Sequence, residues 1–167
     1  MNIFYFDKDP YVAAQAQPDK LVVKMPLETA QMLCTAHREV GCTDYAEENN
    51  LYKSTHVNHP CAVWARENKA NYSWLYAHFL ALGNEYSYRY DRVHASLEKL
   101  ADALLYLPTG LWETSNKRTE MPQCMPDEYK NEDPTLAYRN YVMNEKHYAK
   151  WEKGRDKPIW WEETCLQ

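Results

Sequence analysis

The sequence predicts a mainly α, single compact helical domain with a short N-terminal extended segment and a long ordered loop before the last helix. Three observations lead there. The 167 residues suffice for one hydrophobic core but not for two independent ones. Apolar residues recur at helical spacing behind capping residues over most of the chain. No internal repeat, low-complexity tract or linker divides it, so residues 1–167 are read as one domain.

The elements follow in order. "NIFYF" (2–6) is a short run of β-branched and aromatic residues that reads as a brief strand or an extended buried segment. Asp9-Pro10 turns into a short helix over residues 10–16. Asp19 is the expected N-cap of a longer helix from about Lys20 to Val40, ended by Gly41 and kinked near Pro26. Residues 41–55 are polar and read as a loop. A cap at Asn58 or His59, with Pro60 in the first turn, opens a helix expected to continue to about Tyr90. A further helix spans roughly residues 93–106. Prolines and polar residues then dominate 107–132, and Asp133-Pro134 starts a last helix to about Trp151. The tail "KPIWWEE" is aromatic enough to close the domain or present an interface.

Composition narrows the function. A net charge of −5 argues against a generic polyanion binder, because nonspecific nucleic-acid affinity comes largely from Lys and Arg displacing counterions. Cys34, Cys42, Cys61, Cys124 and Cys165 are odd in number and lack a C-x-x-C pair, which suits reduced thiols. With no apolar run of spanning length and no leader pattern, a cytoplasmic location without a membrane partner is expected. No glycine-rich phosphate loop, dinucleotide fingerprint or G-x-S-x-G elbow is present. No cofactor is expected.

The helix "DKLVVKMPLETAQMLCTAHR" (19–38) carries the clearest candidate site. At about 100° per residue, Lys20, Lys24, Glu28, Gln31, Thr35 and Arg38 share one narrow face. Lys24 and Glu28 form an i,i+4 pair, whose ordinary meaning is a surface ion pair of about 0.2–0.5 kcal/mol. The functional meaning makes Glu28 a general acid/base or electrostatic stabiliser, with Lys24 and Arg38 holding its charge or binding an anionic substrate.

The run Asp19-Lys20-x-x-x-Lys24-x-x-x-Glu28-x-x-Gln31-Met32-Leu33, followed by Asn58-His59-Pro60-x-x-x-Trp64 and Glu85-Tyr86-x-x-Arg89-Tyr90, resembles short bacterial and phage proteins of the pyrimidine-dimer DNA glycosylase type. With "MPDEYK" (125–130) and the W-x-K region, the whole chain is similar to small phage proteins with no established activity. The glycosylase resemblance implies a small helical domain in which the α-amine of Met1 attacks the sugar C1′ and forms an imine, while Glu28 assists. An α-amine suits this chemistry because its reference pKa of about 7.7–8.0 leaves a neutral fraction near pH 7. The candidate catalytic residues are therefore Glu28, Met1 and Lys24. The candidate substrate-binding residues are Lys20, Gln31, Arg38, Asn58, His59, Trp64 and Arg89. DNA or a nucleotide is the expected partner. The alternatives are a non-catalytic module that binds a host or phage protein, and an enzyme acting on free nucleotides.

"THVNHPC" offers His56, His59 and Cys61, a reasonable soft-metal set. Their spacing is irregular, so the segment is read as a helix start and no metal is expected. Cys34 and His37, one turn apart, are read as core, as are most of the tyrosines from Tyr72 to Tyr90.

Overall fold

The computed structural model describes the main chain of residues 1–163 and the side chains of residues 1–161, so Cys165 lies outside the described residues. Eight α-helices and no strand occur among them: α1 (Pro10–Gln15), α2 (Asp19–Val40), α3 (Thr43–Glu48), α4 (Pro60–Ala65), α5 (Lys69–Tyr90), α6 (Ala95–Leu104), α7 (Pro134–Glu145) and α8 (Ile159–Glu163). Single 3-10 turns at Thr109–Leu111 and Asp127–Tyr129 punctuate the loop before α7. No helix of the described residues is long and apolar enough to cross a membrane.

Helix α5 is the central pillar. It buries Tyr72, Trp74, Leu75, Phe79 and Leu82, and packs against α1, α2, α4 and α6. Helix α2 contributes Leu21, Val22, Met25, Met32 and Leu33 to the same core. The N-terminal segment is threaded into this core in a non-helical conformation. Ile3 and Phe6 are fully buried, and Phe6 packs on Trp160 of α8 with ring centroids 5.3 Å apart.

Short polar side chains start the helices. Asp9, His59, Asn68, His94 and Asp133 each accept a main-chain N–H of the first turn, filling donors that a helix start leaves orphaned. Asn68 also corrects the single helix expected from Pro60 to Tyr90. Its side chain accepts the Asn71 N–H at 2.9 Å in an extended conformation, so α4 ends and α5 begins there.

One expectation each for α2, α7 and the stretch after α2 changes as well: residues 41–55, read as a loop, hold α3. Asp19 is not the N-cap; that position is Pro18, while the Asp19 carboxylate turns inward to Arg89 (3.1 Å) and to the Glu152 N–H (2.8 Å). Pro26 lies inside an unbroken helix. His94 Nε2 donates to the Val23 carbonyl at 3.2 Å, in the turn whose bonding the proline weakens. The last long helix stops at Glu145, because Trp151 is drawn into the core and its indole N–H meets the Ala16 carbonyl at 3.2 Å.

Candidate active site at the N-terminus

The polar face of α2 divides into three stretches with different surroundings. At its C-terminal end the loop before α4 folds over it. Thr35 exchanges hydrogen bonds with the main chain of Thr55, and Arg38 donates to the carbonyls of Tyr52 (2.7 Å) and Leu51 (2.8 Å) while pairing with Glu47. Arg38 is thus a clamp for that loop. At the N-terminal end Lys20 is exposed and rests over the Tyr148 ring, 5.3 Å from its centroid. In the middle stretch, which holds exposed Lys24 and half-buried Gln31, Glu28 faces the N-terminus.

Glu28 gathers three nitrogen groups. Its Oε1 lies 3.2 Å from Lys24 Nζ, and its Oε2 accepts the Asn2 N–H at 3.3 Å and lies 3.9 Å from the Met1 α-ammonium. The carboxylate is only 13 % exposed, whereas Lys24 is 63 % exposed. Met1 is half-buried as a residue although its side chain is 1 % exposed, so its exposure belongs to the main-chain end that carries the amine. The thioether side chain is the anchor, packed against the core, and the amine is the free end.

Asn2 and Phe4 set this geometry. Asn2 Oδ1 accepts the Ile3 N–H at 2.8 Å, and Asn2 Nδ2 donates to the Cys124 carbonyl at 3.0 Å. Phe4 adopts φ 57°, left-handed backbone that a bulky residue enters at a cost of roughly 1–3 kcal/mol. The Phe6 N–H closes the bend on the Phe4 carbonyl at 2.9 Å. The bend lets residues 3–6 stay in the core while residue 1 reaches α2.

His59 stands beside this group at the start of α4. Burial lowers its pKa most, the charges of the α-ammonium and His56 add to that, and the nearby Glu28 carboxylate opposes them. Its Nδ1 accepts the Cys61 N–H at 3.2 Å, which fixes the ring. One further pair lies against it. Cys61 and Cys124 have their sulfurs 3.5 Å apart, and both fall in one cluster with a His59 nitrogen. Of the two thiols Cys124 is the more acidic, its pKa lowered because the Cys61 contact stabilises its sulfur as the anion.

No family model, no curated protein and no solved structure matches this chain. The site must be read from its own chemistry.

The structure therefore brings together Met1, Lys24, Glu28 and His59, with Lys20 and Gln31 further along the same face of α2. Asn58 is exposed at the approach to α4. Trp64 and Arg89 are elsewhere. Trp64 is 3 % exposed, donates its indole N–H to the Thr119 carbonyl at 3.3 Å, and helps line a cavity of about 230 Å³ with Tyr5, Lys8 and Arg118. Arg89 is fully enclosed, bonded to Asp19, Glu85 and the carbonyls of Gln15 and Gln17, so its charge is spent inside the fold. The cavity of about 440 Å³ lined by His37, Tyr45, Tyr106 and Trp112 contains none of the group around Glu28.

Two members of the site escaped the sequence reading, Asn2 and Cys124. A lone asparagine ahead of an apolar run was the available signal for the first. Cys124, in a proline-rich loop, offered none.

Proposed function

We propose that this protein is a DNA-base enzyme of the glycosylase type that works through an imine on its own N-terminal amine. The observation that carries this reading is the Met1 α-nitrogen 3.9 Å from Oε2 of Glu28, with the Met1 side chain buried while the residue as a whole is half-buried. A nucleophile and a proton-transfer group at ion-pair distance, close enough for one water to carry a proton between them, form the minimum set for covalent base excision.

The chemistry follows from these groups. The ammonium first gives up a proton, and Glu28 is the nearest acceptor. The neutral amine attacks C1′ as the bond from C1′ to the base breaks, and the departing base takes a proton from the Glu28 carboxylic acid. The new C1′–N centre then returns a proton to the Glu28 carboxylate, which passes it to O4′ as the C1′–O4′ bond breaks, the sugar ring opens and the imine forms. An imine acidifies the C2′ proton, so loss of the 3′ phosphate by β-elimination is the natural second step. Lys24, exposed and paired with Glu28, supplies a cation for the flanking phosphate, and Lys20 extends that cationic edge.

A net charge of −5 favours a small footprint, a flipped nucleotide or a short single strand, over an extended duplex groove. The test is borohydride trapping. The protein and a Glu28→Gln variant are incubated with damaged and undamaged, single- and double-stranded oligonucleotides plus borohydride, and adduct mass and attachment site are read. An adduct on the Met1 α-nitrogen that is weakened in the variant supports the reading. Absence of adduct on every substrate overturns it.

A further inference from the structure

The group formed by His59, Cys61 and Cys124 is placed as a metal site is placed. Its three ligand atoms, one imidazole nitrogen and two sulfurs, all lie within 4.8 Å of one another. The sulfurs are 3.5 Å apart, too far for a disulfide at about 2.05 Å. Two thiolates on a tetrahedral zinc ion, with Zn–S near 2.3 Å, sit about 3.8 Å apart. The observed pair needs a shift of only a few tenths of an ångström to reach that separation.

The surroundings are built to hold these atoms. His59 and Cys61 flank Pro60 at the rigid first turn of α4, and the one lone pair of the neutral His59 ring, which now accepts the Cys61 N–H at 3.2 Å, is the pair the ring would give up to an ion. Cys124 belongs to the long loop, yet both of its main-chain groups are tied down. Its N–H donates to Tyr138 Oη at 3.2 Å, and its carbonyl accepts from Asn2 Nδ2 at 3.0 Å. Tyr138 is itself fully buried and donates to the Pro122 carbonyl at 2.7 Å. Cys61 is buried, while His59 and Cys124 are half-buried, so an ion has an entry side.

We infer that His59, Cys61 and Cys124 bind one zinc ion through an imidazole nitrogen and two thiolates, leaving a fourth position for water. Two sulfurs and a nitrogen exclude magnesium and calcium, which require oxygen ligands, and suit a borderline-soft ion of tetrahedral habit. The sequence offers His56 beside His59 and Cys61; in the structure His56 is exposed and its Nδ1 bonds Thr55 Oγ1. Cys124 takes that place. The ion ties α4, the long loop and, through Asn2, the N-terminal segment into one unit. The inference stands on these three residues and does not depend on the role of Met1.

The test uses the full chain, stripped by chelator under reducing conditions and titrated with Co²⁺, then with Zn²⁺. The expected result is saturation at one equivalent, with sulfur-to-cobalt charge transfer in the near ultraviolet, strong tetrahedral d–d bands, and bleaching of both by one equivalent of zinc. Cys124→Ser, at a half-buried position, should lose most of the charge transfer and keep its helical circular dichroism. Cys42→Ser, at an exposed cysteine outside the cluster, should change nothing. No saturable binding, or binding unchanged by Cys124→Ser, overturns the inference. A Cys61–Cys124 disulfide in freshly isolated protein, seen as a mass two hydrogens lower, overturns it too, by assigning the pair to redox chemistry.

Discussion

Met1 places its α-ammonium 3.9 Å from Oε2 of Glu28 while its side chain is buried in the core, so the position of the amine is set by packing. Adding a single residue ahead of Met1 converts that amine into a peptide N–H and carries the new amine about 3.8 Å away. The buried side chain and the Asn2 bonds are untouched. The expected outcome is loss of borohydride-trapped adduct with little change in melting temperature, since an ion pair at this exposure is worth about 1 kcal/mol or less. Proteolytic removal of the extra residue should restore the adduct. Unchanged trapping in the extended protein would move the nucleophile to a lysine.

Glu28→Gln separates charge from shape. Its amide oxygen can still accept the Asn2 N–H, but proton transfer and attraction to the amine are gone. General acid/base assistance typically supplies about 10²- to 10⁴-fold, so the trapping rate should fall by at least about 100-fold while the urea midpoint moves little. A variant that traps at the native rate would leave Glu28 as a plain partner of Lys24.

Buried ion pairs set the stability of the opposite end of α2. The Arg89 side chain is 0 % exposed, 3.1 Å from Asp19 and 2.9 Å from Glu85, and Glu85 is shared with Arg155. Arg89→Met leaves Asp19 short of its cation in the core, and the expected loss is about 3–5 kcal/mol in urea denaturation. Arg155→Ala removes a guanidinium that is 30 % exposed and should cost well under half as much. The two losses should not add, because both residues bind the same carboxylate.

These contacts mark where sequence pattern stops being informative. The starts of α1, α4 and α7 were legible because their causes are local: Asp9-Pro10, His59-Pro60 and Asp133-Pro134 place a cap and a first-turn proline side by side, whereas α3, which has no side-chain cap, was hidden in a stretch read as a loop. The polar stripe of α2 was legible as a stripe, and Lys24 with Glu28 as a pair. That the stripe would be covered at Arg38 by the loop before α4, covered at Glu28 by the N-terminus and open at Lys24 was not legible, since Leu51, Tyr52 and Thr55 reach it from a loop without periodicity. The break at Asn68 was hidden because the residues on both sides of it suit a helix. Arg89 was a candidate for substrate binding, but its partners Asp19, Gln15 and Gln17 lie some seventy residues away in sequence and hold it inside the fold. Cys124 was hidden for the same reason, as a long-range neighbour of Cys61.

Acid should unfold the protein through two buried histidines. Burial lowers the pKa of His37 and of His78 to about 4. Tyr72 donates its hydroxyl to the Leu104 carbonyl, so its oxygen accepts from His37 Nε2, and His78 Nδ1 meets the Pro10 carbonyl at 2.9 Å. Each is neutral when folded and has a reference pKa near 6.5 when unfolded, so the unfolded chain binds more protons between those values. Stability is therefore complete above about pH 6.5 and declines as pH falls toward 4, by on the order of 3 kcal/mol per histidine at most. His59 and His94, whose pKa values are lowered mainly by burial, act in the same direction. Urea midpoints at pH 7, 5.5 and 4.5 should fall in that order, and His37→Gln should flatten the slope. A midpoint independent of pH over this range would show that these rings exchange protons freely in the folded state.

Asp91 offers the opposite kind of change. It closes α5 in the left-handed region, at φ 53° and ψ 41°, with its N–H on the Ser87 carbonyl at 2.9 Å and its side chain exposed. A side chain in that conformation is strained by roughly 1–2 kcal/mol, and a carboxylate at a helix C-terminus opposes the helix dipole. Glycine removes both penalties, but it gives back part of the gain by loosening the unfolded chain. Asp91→Gly should therefore raise stability by about 1 kcal/mol, read as a higher urea midpoint at unchanged slope. Asp91→Val, branched at Cβ in the same conformation, should lower it. A loss of stability in the glycine variant would mean that the Asp91 carboxylate anchors the turn into α6.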